Sequence, residues 1–254
     1  LGYRFEMIVL ETPRSNVLGF LRNLRRLNAA GRSWLGVWRH LKAGWAKVKA
    51  LDDVERLLHK VRPRELEKGS VDKAFKQALA WIDRAQNEDE TAQARDRGLE
   101  ALRNVPQDRA LRPLKVGIIG EIYVLLEPAS NLDLEKTLGE MGVEVHRSIF
   151  LTGWTRENAI EENGGHDVKG AAKPYLPEMI GGHGQDSVGH TIMYARDGFD
   201  GVIQLAPFTC IPEIVARSIL PKLSEEHDIP VLSFFLDEQT GEAGFRTRLE
   251  AFVD

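Results

Sequence analysis

The chain has 254 residues, 43% hydrophobic and 28% charged, with a net charge of −4 at neutral pH. That length can bury a core without disulfide staples, and the composition is that of an ordinary globular chain. One cysteine excludes an internal disulfide and any metal site built from several thiolates of this chain. No apolar run is long enough to cross a membrane. The N-terminal apolar stretch, interrupted by Glu6 and Glu11, is no secretory signal, so a cytoplasmic location is expected.

Charge is split unevenly. Residues 1–113 hold 23 Lys/Arg against 15 Asp/Glu, and residues 114–254 hold 11 against 23. Residues 12–51 carry nine Lys/Arg and no acid. Such a block binds nucleic acid, a membrane surface or an acidic partner, and its plainest reading is a solvated or domain-facing helical surface.

In chain order, Phe5–Leu10 reads as a buried strand closed by Pro13. Only four residues precede it, so its partners are expected in an N-terminal domain that this chain does not carry. Residues 15–112 read as helices. Ser15 or Asn16 caps the first, and Ser33 caps a second with Trp34, Val37, Trp38, Leu41, Trp45 and Val48 at helical spacing. Asp52 or Asp53 starts a third that ends before Pro63, and Ser70 caps a fourth. The Trp and Leu stripes are expected to be core.

At Pro113 the pattern changes. Strands are expected at 114–120, 143–150, 201–205 and 230–236, with helices at 131–141, from Asp186 or Ser187 to Arg196, at 212–223 and from Thr240 onward. Alternating strands and helices imply a parallel sheet covered on both faces. The expected fold is therefore α/β: a four-stranded, doubly wound, flavodoxin-like domain over 114–254, preceded by a mainly helical segment over 1–113.

In such sheets ligands bind beyond the carboxyl ends of the strands. There the sequence places Gly120 and Glu121, then Pro207-Phe208-Thr209-Cys210 with Glu213, then Asp237 and Glu238. Glu121, Glu213, Asp237 and Glu238 are the candidate acid–base groups. Cys210 stands between a strand end and a helix start, where backbone N–H groups stabilise a thiolate, which suits a nucleophile or metal ligand. Gly181-Gly182-His183-Gly184 precedes a helix and can cradle phosphate, although it lacks a Walker lysine and does not fit GxGxxG. Gly120, Gly182, His183, Gly184, Pro207 and Thr209 are the candidate cofactor contacts. HExxH and GxSxG are absent, which argues against zinc and serine-hydrolase sites at His166, His183, His190 or Ser187. Arg246 and Arg248 are expected to pair with Asp237, Glu238 or Glu250.

The runs KVGIIGEIYVLLEP, KPYLPEMIGGHGQDSVG, DGVIQLAPFTCIPEIVA and DEQTGEAGFRTRLEAF, together with Asn131, resemble the component D family of 2-hydroxyacyl-CoA dehydratases and benzoyl-CoA reductases. They are most like its CoA-substrate-specific enzyme activase-related branch. The likeness is dense over 114–254 and looser before, chiefly at FEMIVLE. It implies flavodoxin-like domains, a [4Fe–4S] cluster on cysteines from different domains, and an electron received from a separate ATP-hydrolysing activator. In the dehydratases and reductases that electron drives radical chemistry on a CoA thioester. Cys210, in PFTCIPE, falls on a ligand position; the family's other ligand cysteines would precede Leu1. The branch label implies no ATPase activity here, because no ATPase phosphate loop is present. A cluster-free nucleotide- or CoA-binding module and a nucleic-acid-binding arm over 12–51 are the competing readings, the last without a recognised motif; a homodimer is compatible with either half.

Overall fold

In a computed structural model, the structure describes residues 7–9, 16–27, 34–157 and 166–254. Most of the strand expected at 5–10 lies outside these residues, and 7–9 form no strand. Helix α1 spans Val17–Leu27, and α2 runs unbroken over Trp34–Val61. The break expected at Asp52 is absent for a physical reason. Neither Gly nor Pro interrupts residues 45–61, and the buried Asp52 carboxylate does not cap a helix: it accepts hydrogen bonds from the backbone N–H (2.9 Å) and hydroxyl of Thr152.

A short 3-10 turn at Arg62–Arg64 leads to α3 (Ser70–Arg84) and α4 (Glu88–Arg103). These pack with α2 around Val54, Leu58, Val71, Ala78, Ile82 and Leu102. The aromatic stripe of α2 departs from expectation. Burial in α2 starts at Ala43, and Trp34, Trp38 and Leu41 stay exposed, Trp38 at 56%.

The second half is a four-stranded, all-parallel sheet in the order β2-β1-β3-β4: β1 Lys115–Gly120, β2 Glu144–Arg147, β3 Gly201–Pro207 and β4 Val231–Leu236. Side chains alternate across it, as the two-residue strand period demands. Val116, Ile118, Ile203 and Leu205 pack with α5 (Ile122–Leu126), α6 (Leu134–Glu140) and α11 (Glu242–Val253). Ile119 and Val202 pack on the other face with α8 (His166–Ala172), α9 (Gly184–Arg196) and α10 (Ile211–His227). The fold is thus α/β and flavodoxin-like.

β2 spans only Glu144–Arg147 of the strand expected at 143–150. Ser148 gives its N–H to Ile118 O (2.8 Å), and the chain then turns into α7 (Leu151–Thr155). α9 starts at Gly184, before the expected Asp186 or Ser187, because the Ser187 hydroxyl is spent on Glu213. Arg246 pairs with Glu250 (3.0 Å), and Arg248 donates to Ser233 O (2.9 Å).

The halves are joined by ion pairs. Arg147 of β2 reaches Glu55 of α2 (2.5 Å) and Glu135 of α6 (3.2 Å), His59 reaches Glu135 (3.2 Å), and Arg64 reaches Glu144 (2.7 Å). Among the described residues, no helix is long and apolar enough to cross a membrane.

A candidate site at the sheet switch point

The strand order reverses between β1 and β3, so their carboxyl ends flank the crevice that doubly wound sheets use for ligands. Gly120 closes β1 with φ +137°. A Cβ there would lie 1.8 Å from Leu205 O, so this glycine has a packing reason of its own: the backbones of β1 and β3 meet there. Glu121 follows at the N-cap of α5, where its carboxylate accepts the Val124 N–H (3.1 Å).

Across the crevice, Pro207 ends β3 beside Leu236. Phe208 and Thr209 are exposed, and half-buried Cys210 is the N-cap of α10, with Pro212 in the first helical turn. No side-chain hydrogen bond caps α10, although the Glu213 backbone N–H exerts a lowering pull on the thiol. Even so, burial and the charges of Glu213 and Glu121 push the thiol above its ordinary range. Desolvation and the charges of Glu213 and Glu121 thus oppose the pull toward a thiolate expected from the helix N-terminus.

Glu213 is fully buried. Its carboxylate accepts from the Ser187 hydroxyl (3.0 Å) and from Gln204 Nε2 (2.8 Å), and Gln204 in turn accepts from the Ser233 hydroxyl (2.8 Å). Burial pushes this carboxyl up to about 7; the Gln204 and Ser187 hydrogen bonds oppose the rise, and Glu121 and Asp186 add to it. Ser187, Gln204 and Ser233 were not among the sequence candidates. Only Gln204, a polar residue inside an apolar strand, carried a signal that could have found them.

The Gly-rich loop joins the same edge. A Cβ on Gly182 would approach Pro212 to 3.0 Å, and one on Gly184 would lie 2.3 Å from Pro212 O, so the loop rests on the start of α10. No side chain caps α9. His183 accepts the Trp154 indole N–H at Nε2 (3.0 Å), which places the proton of the neutral ring on Nδ1. His183, Asp186 and His190 line a cavity of about 220 Å³ with Arg56, Phe150 and Trp154. The Arg56 guanidinium lies 4.0 Å over the Phe150 ring. Burial pulls His190 down to about 4, so it is neutral.

Glu121 and Glu213 are thus close enough to raise the Cys210 thiol, and Glu121 also adds to the rise at Glu213. Asp237 and Glu238 stand on the same sheet edge but at outer strand β4, both exposed. Asp237 is engaged in a local turn, accepting from Gln239 N (3.0 Å) and the Thr240 hydroxyl (2.9 Å). Among the described residues, no group of three His, Cys, Asp or Glu is arranged to hold a metal ion. Comparison with protein-family models and with curated proteins found no match.

Proposed function

We propose that this chain is the sheet-bearing region of a cytoplasmic iron–sulfur, electron-accepting protein of the kind its motifs resemble, a 2-hydroxyacyl-CoA dehydratase component D or benzoyl-CoA reductase-like protein served by an ATP-hydrolysing activator. The observation that supports this reading is the place of Cys210: the chain's one thiol caps α10 at the switch point. Phe208 and Ile211 beside it in the chain are exposed, as is Tyr123 in the helix after β1, apolar surface suited to a covering partner. The chain's residues do not fit a whole cluster, which takes three or four thiolates against the one present. Cys210 would supply a single ligand, with the other thiolates coming from outside residues 1–254. What this chain contributes on its own is a half-buried thiol, a carboxyl at Glu213 that holds a proton near neutrality, and a closed packing of the loops behind them.

A second reading, a cluster-free binding module, draws on the 220 Å³ cavity. Its donors, the Arg56 guanidinium and the His183 Nδ1–H, suit a small anionic group. One comparison separates the two readings. The chain, expressed together with any coding sequence that adjoins it, is purified anaerobically, iron is counted, and EPR spectra are taken with and without Cys210→Ser. The cluster reading expects iron and signal to be lost in the variant; equal iron in both sinks it. Thermal shifts with CoA, acyl-CoA, ATP and FMN test the second reading, which expects at least one stabilising ligand.

A further inference from the structure

The opposite edge of the sheet carries a groove that the switch-point site does not use. It opens where β2 begins at Glu144, between the C-terminal ends of α2 and α4, and encloses about 460 Å³. That volume falls within the range of small-molecule sites. Leu57 and Val61 line it with apolar surface, and Lys60, Arg103 and Arg109 face it.

The pairing of these cations sets the groove apart. Elsewhere in the helical half, Arg62 holds Asp72 (2.5 Å), and Arg95 holds Asp96 (2.8 Å). Within the groove itself Arg64 is committed to Glu144 (2.7 Å), which also takes His146 (2.9 Å), so its one carboxylate is already neutralised. The side chains of Lys60, Arg103 and Arg109 make no ion pair or hydrogen bond among the described residues. All three side chains are exposed, so water and salt screen their repulsion in part, and an anion between them would offset what remains. Basic residues in a last helical turn do favour the helix dipole, which accounts for Lys60 and Arg103. Arg109 belongs to no helix, and the dipole gives it no reason to complete the ring.

We propose that this groove binds a small polyphosphorylated molecule, with two or more phosphate groups shared among Lys60, Arg103 and Arg109 and an apolar portion resting on Leu57 and Val61. Arginine forks and a lysine point charge match phosphate oxygens. Three cations exceed what one carboxylate would use. No aromatic side chain lines the groove, which removes the stacking platform that single-stranded nucleic acid requires. The site lies at the amino edge of the sheet, so its occupant would not meet Cys210.

The test is isothermal titration of the full chain with inorganic pyrophosphate, orthophosphate and sulfate, at low and at moderate salt. Pyrophosphate is expected to bind saturably at one site, more tightly than orthophosphate or sulfate and more weakly as salt rises. The double variant Arg103→Gln/Arg109→Gln is expected to weaken it at least tenfold. Arg84→Gln, which removes an exposed cation away from the groove, should leave it unchanged. Absence of saturable binding, equal weakening by both variants, or tighter binding of an oligo-glutamate peptide or a single-stranded oligonucleotide would overturn the proposal.

Discussion

Glu213 concentrates the physical chemistry of the switch point in one side chain. It is a carboxyl with no exposed surface, held by Ser187 and Gln204, and it titrates near 7 rather than at its usual 4.5. The native state therefore binds a proton that the unfolded chain has released between about pH 4.5 and 7, so this group's contribution favours folding at low pH and fades as pH rises through that window. Glu213→Gln keeps the shape and removes the titration. The wild type is expected to lose about 2 kcal/mol of stability between pH 5 and pH 8 on this account, most of what a shift of this size carries in full. The variant should lose much less of it, measured by urea unfolding at both pH values. The same substitution removes a negative charge beside Cys210, so the single thiol of the variant should react with iodoacetamide at lower pH. An unshifted alkylation profile would show the two groups to be uncoupled.

At the scale of elements, the site depends on two loops being pressed against strand and helix ends. Gly120 lets β1 meet β3, and Gly182 and Gly184 let the loop before α9 rest on Pro212. The demand is strictest at Gly120, where positive φ and a carbonyl oxygen at 1.8 Å from the missing Cβ act together. Gly120→Ala forces the central strands apart and is expected to cost more than about 3 kcal/mol, at the severe end for single substitutions. Thermal melts would show this as a large fall in Tm or as insoluble protein. Gly142→Ala is the comparison: its φ is also positive (+87°), but no atom lies within 4 Å of its Cβ position, so only backbone strain remains and the loss should be smaller.

For the whole molecule, the basic helical half docks on the acidic sheet half through specific pairs. Arg147 is the centre of this contact, nearly buried and reaching Glu55 and Glu135, with its Nε donating to Ile149 O (2.9 Å). Burial works to raise the Glu135 carboxyl, but His59, Arg147 and Arg62 hold it below its usual value of 4.5. The stability it contributes is present above that value and is lost as pH falls through the depressed one. Arg147→Met leaves two carboxylates facing each other without their shared cation. It is expected to destabilise by about 3 kcal/mol or more and to separate the unfolding of the two halves, seen as two transitions by calorimetry. A single transition with unchanged midpoint would mean that apolar packing alone joins them.

Much of this was legible along the chain. Strand–helix alternation after Pro113 is enough to specify a parallel sheet, because apolar runs of strand length separated by amphipathic stretches have few other ways to be buried. That edge loops carry Glu121 and Cys210 follows from the same pattern. Periodicity alone could not decide where burial ends: Trp34 and Trp38 lie on an apolar stripe, yet they stay half exposed, at 50% and 56%. Nor could local signals reveal that Asp52 would be spent on Thr152, a hundred positions away, instead of starting a helix. Polar partners that meet through space have no fixed spacing, so Ser187, Gln204 and Ser233 come to Glu213 only when four elements converge. The sequence by itself determined the fold class, the one-thiol limit and the two oppositely charged halves, since these follow from composition and local period. Only the tertiary structure decided the upward shifts of Cys210 and Glu213 and the unpaired cations of the amino-edge groove. Desolvation and pairing are properties of neighbours, and neighbours are assigned by folding.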